Sequence, residues 1–290
     1  MGNQNTRRLA VVLILVLSYA VVEVVAAIAT GSLSLLSDAG HMGTDALGLG
    51  MSLAAAVTIT RAVQRERQTF GLYRLEILAA LANALLLVGI AAYAIYEGVS
   101  RLGAPPEIEG GLMLWVAVGG LVVNVIGIML LRRGADQSLN VEGAYTEVLA
   151  DLIGSIGVIA AAVIYLTTES ALADPLVAIA IGIWILPRAL RLGWKALRIL
   201  VEVAPTHIDM DRVREDLAGV DGVIGVHDLH IWTLASDMDV ATAHLVVADD
   251  IELHAVLDEA GNRMKRTWGI RHATLQVEPE SHADCVEETW

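Results

Sequence analysis

Six stretches of this chain are apolar for about the 20 residues that a helix needs to cross a hydrocarbon core. They cover residues 9–29, 34–60, 77–102, 111–131, 144–166 and 175–200. No other feature restricts the fold as strongly. A chain of 290 residues with 56% hydrophobic side chains and a positive mean hydropathy is too apolar for an ordinary soluble domain. The sequence therefore predicts an α-helical membrane protein with six transmembrane helices.

The last part of the chain has a different character. Residues 205–290 contain eighteen acidic and six basic side chains and seven of the eight histidines, so twelve of the fourteen net negative charges lie there. Short alternating segments replace the long apolar runs. They predict a helix at 207–218, strands at 223–234 and 238–247, a helix at 252–268 and a strand at 270–278. This is a small cytoplasmic α+β unit of order α-β-β-α-β. The expected division is a membrane domain at 1–204, a cytoplasmic domain at 205–279 and an acidic tail at 280–290.

Basic residues orient the spans, because Lys and Arg in short loops stay cytoplasmic. Arg7 and Arg8 precede the first span, and Arg61, Arg65, Arg67 and Arg74 lie between the second and third. Arg132 and Arg133 lie between the fourth and fifth, and Arg188, Arg191, Lys195 and Arg198 line the end of the sixth. The opposite loops contain only Arg101, so both termini are expected in the cytoplasm. A cleaved signal peptide at 9–29 is the alternative, although that stretch is longer than the usual signal core. The single cysteine, Cys285, excludes a disulfide within one chain. A formal charge of −14 argues against nucleic acid. The sequence has no phosphate loop, Walker-type lysine or nucleophile elbow, which argues against nucleotide hydrolysis.

Ionisable residues within spans carry the functional information, since charge in hydrocarbon is costly and normally faces a bundle interior. His41 and Asp45 are four residues apart in the second span, and Glu147 and Asp151 are four apart in the fifth. That spacing puts each pair on one helical face. The uncharged run 46–60 is too short to cross alone, so the second helix must include His41 and Asp45. One imidazole nitrogen and three carboxylate oxygens suit tetrahedral Zn2+, and also admit Co2+, Cd2+, Ni2+ or Mn2+. The competing reading makes His41 and Asp45 helix-start residues and Glu147 a helix cap. Depth counted from the Arg-marked edge also keeps Asp45 and Glu147 apart, unless the second helix protrudes or the fifth begins outside the membrane.

Longer strings carry a resemblance. SLLSDAGHMGTD from Ser34 to Asp45, TFGLYRLE from Thr69 to Glu76 and EVLADLIGSIG from Glu147 to Gly157 closely resemble the cation diffusion facilitator family of zinc transporters. In the cytoplasmic part the strings are VHDLHIWT from Val226, AHLV from Ala243 and HATLQVE from His272. The resemblance implies a homodimer in membrane lipid that exchanges a divalent cation for protons, with a metallochaperone-like cytoplasmic domain joining the protomers. It implies a transport site at His41, Asp45, Glu147 and Asp151. Zinc-selective members commonly have His where this chain has Glu147. A second metal site between spans two and three would need histidines where Gln68 and Leu72 stand, and the loop at 132–141 has no histidine. The resemblance also implies that Arg74 and Glu202 pair; two unrelated interfacial charges are the plain alternative.

Strand alternation allows His230 and His244 to share a sheet face. With His272, Glu278 or Cys285 they are candidates for cytoplasmic zinc, against a reading as solvated surface histidines. His207, His254 and His282 read as surface residues, Trp232 as packing, and His227 beside Asp228 as ambiguous. Asp38 is a candidate proton or metal relay, or a helix cap together with Ser37. Asn83 and Asn124 read as interhelical hydrogen-bonding groups. Metal and protons compete for the same ligands, which is the expected coupling. Zn2+ is thus substrate and possible regulatory ligand, with no organic cofactor expected. The rival classes are a non-transporting metal-sensing subunit of a membrane complex and a metal-dependent membrane enzyme, the latter disfavoured because four protein ligands leave no open position.

Overall fold

A computed structural model describes residues 3–61, 70, 73–135, 139–235, 238–249 and 251–282. Six long helices come first: α1 (Asn3–Thr30), α2 (Leu33–Arg61), α3 (Arg74–Arg101), α4 (Gly110–Ala135), α5 (Leu139–Thr168) and α6 (Ala173–Leu200). Among the described residues, α1, α3, α4, α5 and α6 each contain a stretch long and apolar enough to cross a membrane. With 29 residues α2 is as long as its neighbours, and its apolar character is interrupted by Asp38, His41 and Asp45. The outward faces carry large apolar side chains such as Ile28, Tyr96 and Trp115, as a lipid-facing surface does.

The chain divides into two compact units, one formed by residues 1–71 and 78–194 and the other by 72–77 and 195–290. In the first unit α1, α2, α4 and α5 pack together. Leu87 and Ala91 of α3 meet Ile185 and Ala189 of α6. Small residues at the contacts let the backbones approach closely, which is how helices associate without a hydrophobic drive between them.

The turn between α1 and α2 shows how α2 is started. α1 ends at Thr30, and Gly31 turns the backbone with φ +72°, a conformation that disfavours other residues. The first donors of α2 are then met by Asp174 of α6. Its carboxylate accepts from the Leu33 and Ser34 amides at 2.8 and 3.2 Å and from the Ser32 and Ser34 hydroxyls, both at 2.6 Å. Asp38 and His41 therefore lie inside the helix, which overturns the readings of Ser37 and Asp38 as a cap and of His41 and Asp45 as helix-start residues. Likewise α5 begins at Leu139, so Glu147 lies two turns inside it and is not its cap. α5 thus starts five residues before the apolar run that begins at Ala144.

In the second unit α7 (Met210–Ala218), β1 (Val223–Ala235), β2 (Met238–Val247), α8 (Leu253–Arg266) and β3 (His272–Pro279) follow the expected order. α7 starts after Asp209, whose carboxylate accepts from the amides of Asp211 and Arg212. The sheet runs β1-β2-β3, with β1 antiparallel and β3 parallel to β2. Val213 and Leu217 of α7 and Val256, Ala260 and Met264 of α8 bury one sheet face against Ile231, Ala243 and Leu245. Trp268 packs against this core, while Trp232 is half-buried on β1. Arg74 and Glu202 form an ion pair within this unit.

Candidate metal centre

The i,i+4 pairs of α2 and α5 meet in the interior of the first unit. His41, Asp45 and Asp151 are 4%, 5% and 1% exposed. The His41 Nε2 atom is 3.7 Å from Asp45 Oδ2 and 3.7 Å from Asp151 Oδ1. One donor atom from each residue lies within 4.8 Å of the others. A tetrahedral ion with ligands at about 2.0–2.2 Å holds its donors about 3.3–3.6 Å apart, so small rotamer changes suffice. Asp45 Oδ2 and Asp151 Oδ1 have no hydrogen-bond partner, which leaves buried lone pairs free to accept from a bound ion.

Glu147 lies beside this trio without joining it. Its Oε1 accepts from Arg188 Nη2 of α6 at 2.9 Å, and Arg188 Nη1 lies 3.9 Å from Asp45 Oδ2. The antiparallel arrangement expected of the two pairs is present: His41 lies level with Asp151, and the guanidinium spans Asp45 and Glu147. Asn124 of α4 donates to Ser155 of α5 at 3.2 Å, an interhelical bond of the expected kind. Ser155 donates in turn to Asp38 at 3.3 Å.

A second cluster forms on the sheet face opposite α7 and α8. His227 and His244 stand directly opposite one another on β1 and β2, with ring centroids 5.0 Å apart. Glu278 of β3 reaches both, Oε1 lying 2.8 Å from His244 Nδ1 and Oε2 lying 3.4 Å from His227 Nε2. Burial alone would raise the Glu278 carboxyl. The Gln276 hydrogen bond and the two imidazoles outweigh it and hold Glu278 below the usual glutamate range. His230 is exposed and outside the cluster, as is His272 at the start of β3. Cys285 lies outside the described residues, as do Gln68 and Leu72. His227 takes the place expected of His230 because Asp228 adopts φ +48° and three steps along β1 face two along β2 between His227 and His230.

Residues 9–201 match the cation efflux transmembrane domain, and residues 205–280 match the cytoplasmic domain of cation efflux proteins. The chain belongs to the cation diffusion facilitator family. It is 43% identical over 287 residues to the metal cation efflux system protein CzcD of Cupriavidus metallidurans, covering 98% of this chain and 90% of that one. It is 36% identical to the zinc transporter ZitB of Escherichia coli, with 98% and 91% covered. It is 35% identical to the cadmium, cobalt and zinc/H(+)-K(+) antiporter of Bacillus subtilis, with 96% and 90% covered. A solved metal-bound C-terminal domain of CzcD shares 32% identity over 24% of this chain and 99% of that one, with a TM-score of 0.24. As a member of this family the chain is a multi-pass membrane protein of metal cation efflux.

Three residues of this cation diffusion facilitator escape spacing arguments. Arg188 serves on sequence grounds only as a topology marker, although it follows Pro187 within α6. Glu23 lies inside α1, seven residues before its end, where the rule that flags His41 and Asp45 applies equally. His227 is hidden by the local break in strand alternation.

Proposed function

We propose that this protein is a proton-coupled antiporter that exports Zn2+ from the cytoplasm by alternating access, with Co2+, Cd2+, Ni2+ and Mn2+ as possible further substrates. The observation that carries the reading is the gathering of His41, Asp45 and Asp151 from two helices at one buried point. Glu147 is the fourth ligand, recruited when the ion displaces Arg188 from it. The ligands bind metal only when deprotonated, so an entering ion expels protons and returning protons expel the ion. Asp38, which lies one turn before His41, relays protons or metal toward this point.

The protein works as a homodimer with both termini in the cytoplasm. The membrane domain spans 1–204 and the cytoplasmic domain 205–279, ahead of an acidic tail. In the cytoplasmic domain His244 and Glu278, with His227, hold regulatory Zn2+; two imidazoles and a carboxylate suit it. The Arg74–Glu202 pair fastens the start of α3 to the segment after α6.

Vesicles containing only this chain and a trapped pH dye test the proposal. Added Zn2+ should drive proton movement, and Asp151→Ala should abolish it while leaving the protein folded. Absence of flux in the wild type would favour a metal-sensing subunit, and unchanged flux in Asp151→Ala would remove Asp151 from the site.

A further inference from the structure

Glu23 is fully buried, and neither of its carboxylate oxygens has a hydrogen-bond partner. It lies on α1, whereas the metal-binding trio is carried by α2 and α5. Its Oε1 fills a recess over Gly120 of α4, where a built Cβ would stand 2.6 Å from that oxygen and 3.4 Å from the Ser155 hydroxyl. Asp38 Oδ1 fills a matching recess over Gly154 of α5, where a Cβ would collide with it. The Ser155 hydroxyl stands between the two acids, donating to Asp38 Oδ2 and accepting from Asn124.

Among the described residues neither Glu23 nor Asp38 has a basic partner within ion-pair distance. The groups around Glu23 are Tyr19, one turn earlier on α1, Asp38 from α2, Gly120 and Asn124 from α4, and Ser155 and Asp151 from α5. An ionised carboxylate without a counter-charge is costly in such surroundings, and two that repel one another are costlier. Binding of a proton, or arrival of positive charge nearby, removes that cost.

The geometry points to Glu23 as a proton-binding site separate from the metal ligands, loaded while the trio is empty and discharged when a divalent cation occupies it. The inference rests on the antiport reading above and adds to it a carrier of one exchanged proton outside the coordination shell. Only the O–H bond of Glu23 breaks, and the proton passes to solvent. The connection to the metal runs along α2, where Asp38 precedes His41 by one turn, and along α5, where Ser155 follows Asp151 by one turn.

Calorimetry of Zn2+ binding to the purified full-length protein, in buffers of different ionisation heat, counts the protons released. Glu23→Gln, which has the shape of the protonated acid, should release about one proton fewer per ion and flatten the pH dependence of affinity to match. An equal count in wild type and Glu23→Gln overturns the inference. A wild type that releases no protons overturns instead the antiport reading beneath it. Should Glu23→Gln fail to fold, infrared difference spectra of Glu147→Gln made with isotope-labelled glutamate replace it. A protonated glutamic-acid carbonyl band that vanishes on Zn2+ addition supports the site, and a spectrum without that change overturns it.

Discussion

Replacing Arg188 by Gln should tighten Zn2+ binding. The guanidinium is 2.9 Å from Glu147 and 3.9 Å from Asp45, so it neutralises charge that an entering cation would otherwise use. With an effective dielectric of 20 the two Coulomb energies are about 6 and 4 kcal/mol. The Arg188 side chain is 37% exposed, and solvent screening together with the desolvation it avoids reduces this greatly. A charge-assisted hydrogen bond at such a position is worth about 1–2 kcal/mol net. A gain of that size corresponds to a dissociation constant lower by about 5- to 30-fold. The assay is calorimetric titration of the detergent-purified protein with Zn2+, at a pH high enough that protons no longer compete. In a Glu147→Gln background the gain from Arg188→Gln should shrink, because the guanidinium then has no ion pair with Glu147 to lose. Unchanged or weaker binding in Arg188→Gln would refute the competition between this guanidinium and an entering cation for Glu147 and Asp45.

Glu147→His should shift preference toward Zn2+ over Mn2+ in vesicle uptake, because imidazole is the softer donor and no longer pairs with Arg188. His227→Ala should remove metal binding by the cytoplasmic domain, whereas His230→Ala should leave it intact; metal content per chain in the Asp45→Asn, Asp151→Asn background separates them. Asp174→Ala strands four donors at the start of α2, each costing about 1–3 kcal/mol if left unmet. Thermal unfolding in detergent should show a large loss of stability, and Asp174→Asn, which keeps one acceptor, should restore part of it.

The helical membrane domain was legible because apolar runs of that length have few other uses, and the i,i+4 pairs because spacing alone places residues on one helical face. The boundaries were less so. The first turn of α5 carries polar residues and continues beyond the apolar run, and α2 is capped from α6, a contact that no local pattern encodes. Arg188 could not be assigned to Glu147 because the sequence does not say which helices adjoin. Glu23 was within reach of the rule for buried charge. Strict alternation points to His230 in place of His227 only while the strand is regular, and the left-handed Asp228 breaks it between the two.

The grip of Asp174 on the start of α2 limits how the cluster of His41, Asp45 and Asp151 can rearrange. Four hydrogen bonds at a residue 1% exposed join that end of α2 to the beginning of α6, and Arg188 links the same two helices again further along. Sliding α2 past α6 would break the upper fastening and drag the lower one. A rocking motion in which both helices tilt as one lever, hinged at the Asp174 end, keeps the fastening intact and swings His41 and Asp45 relative to Asp151.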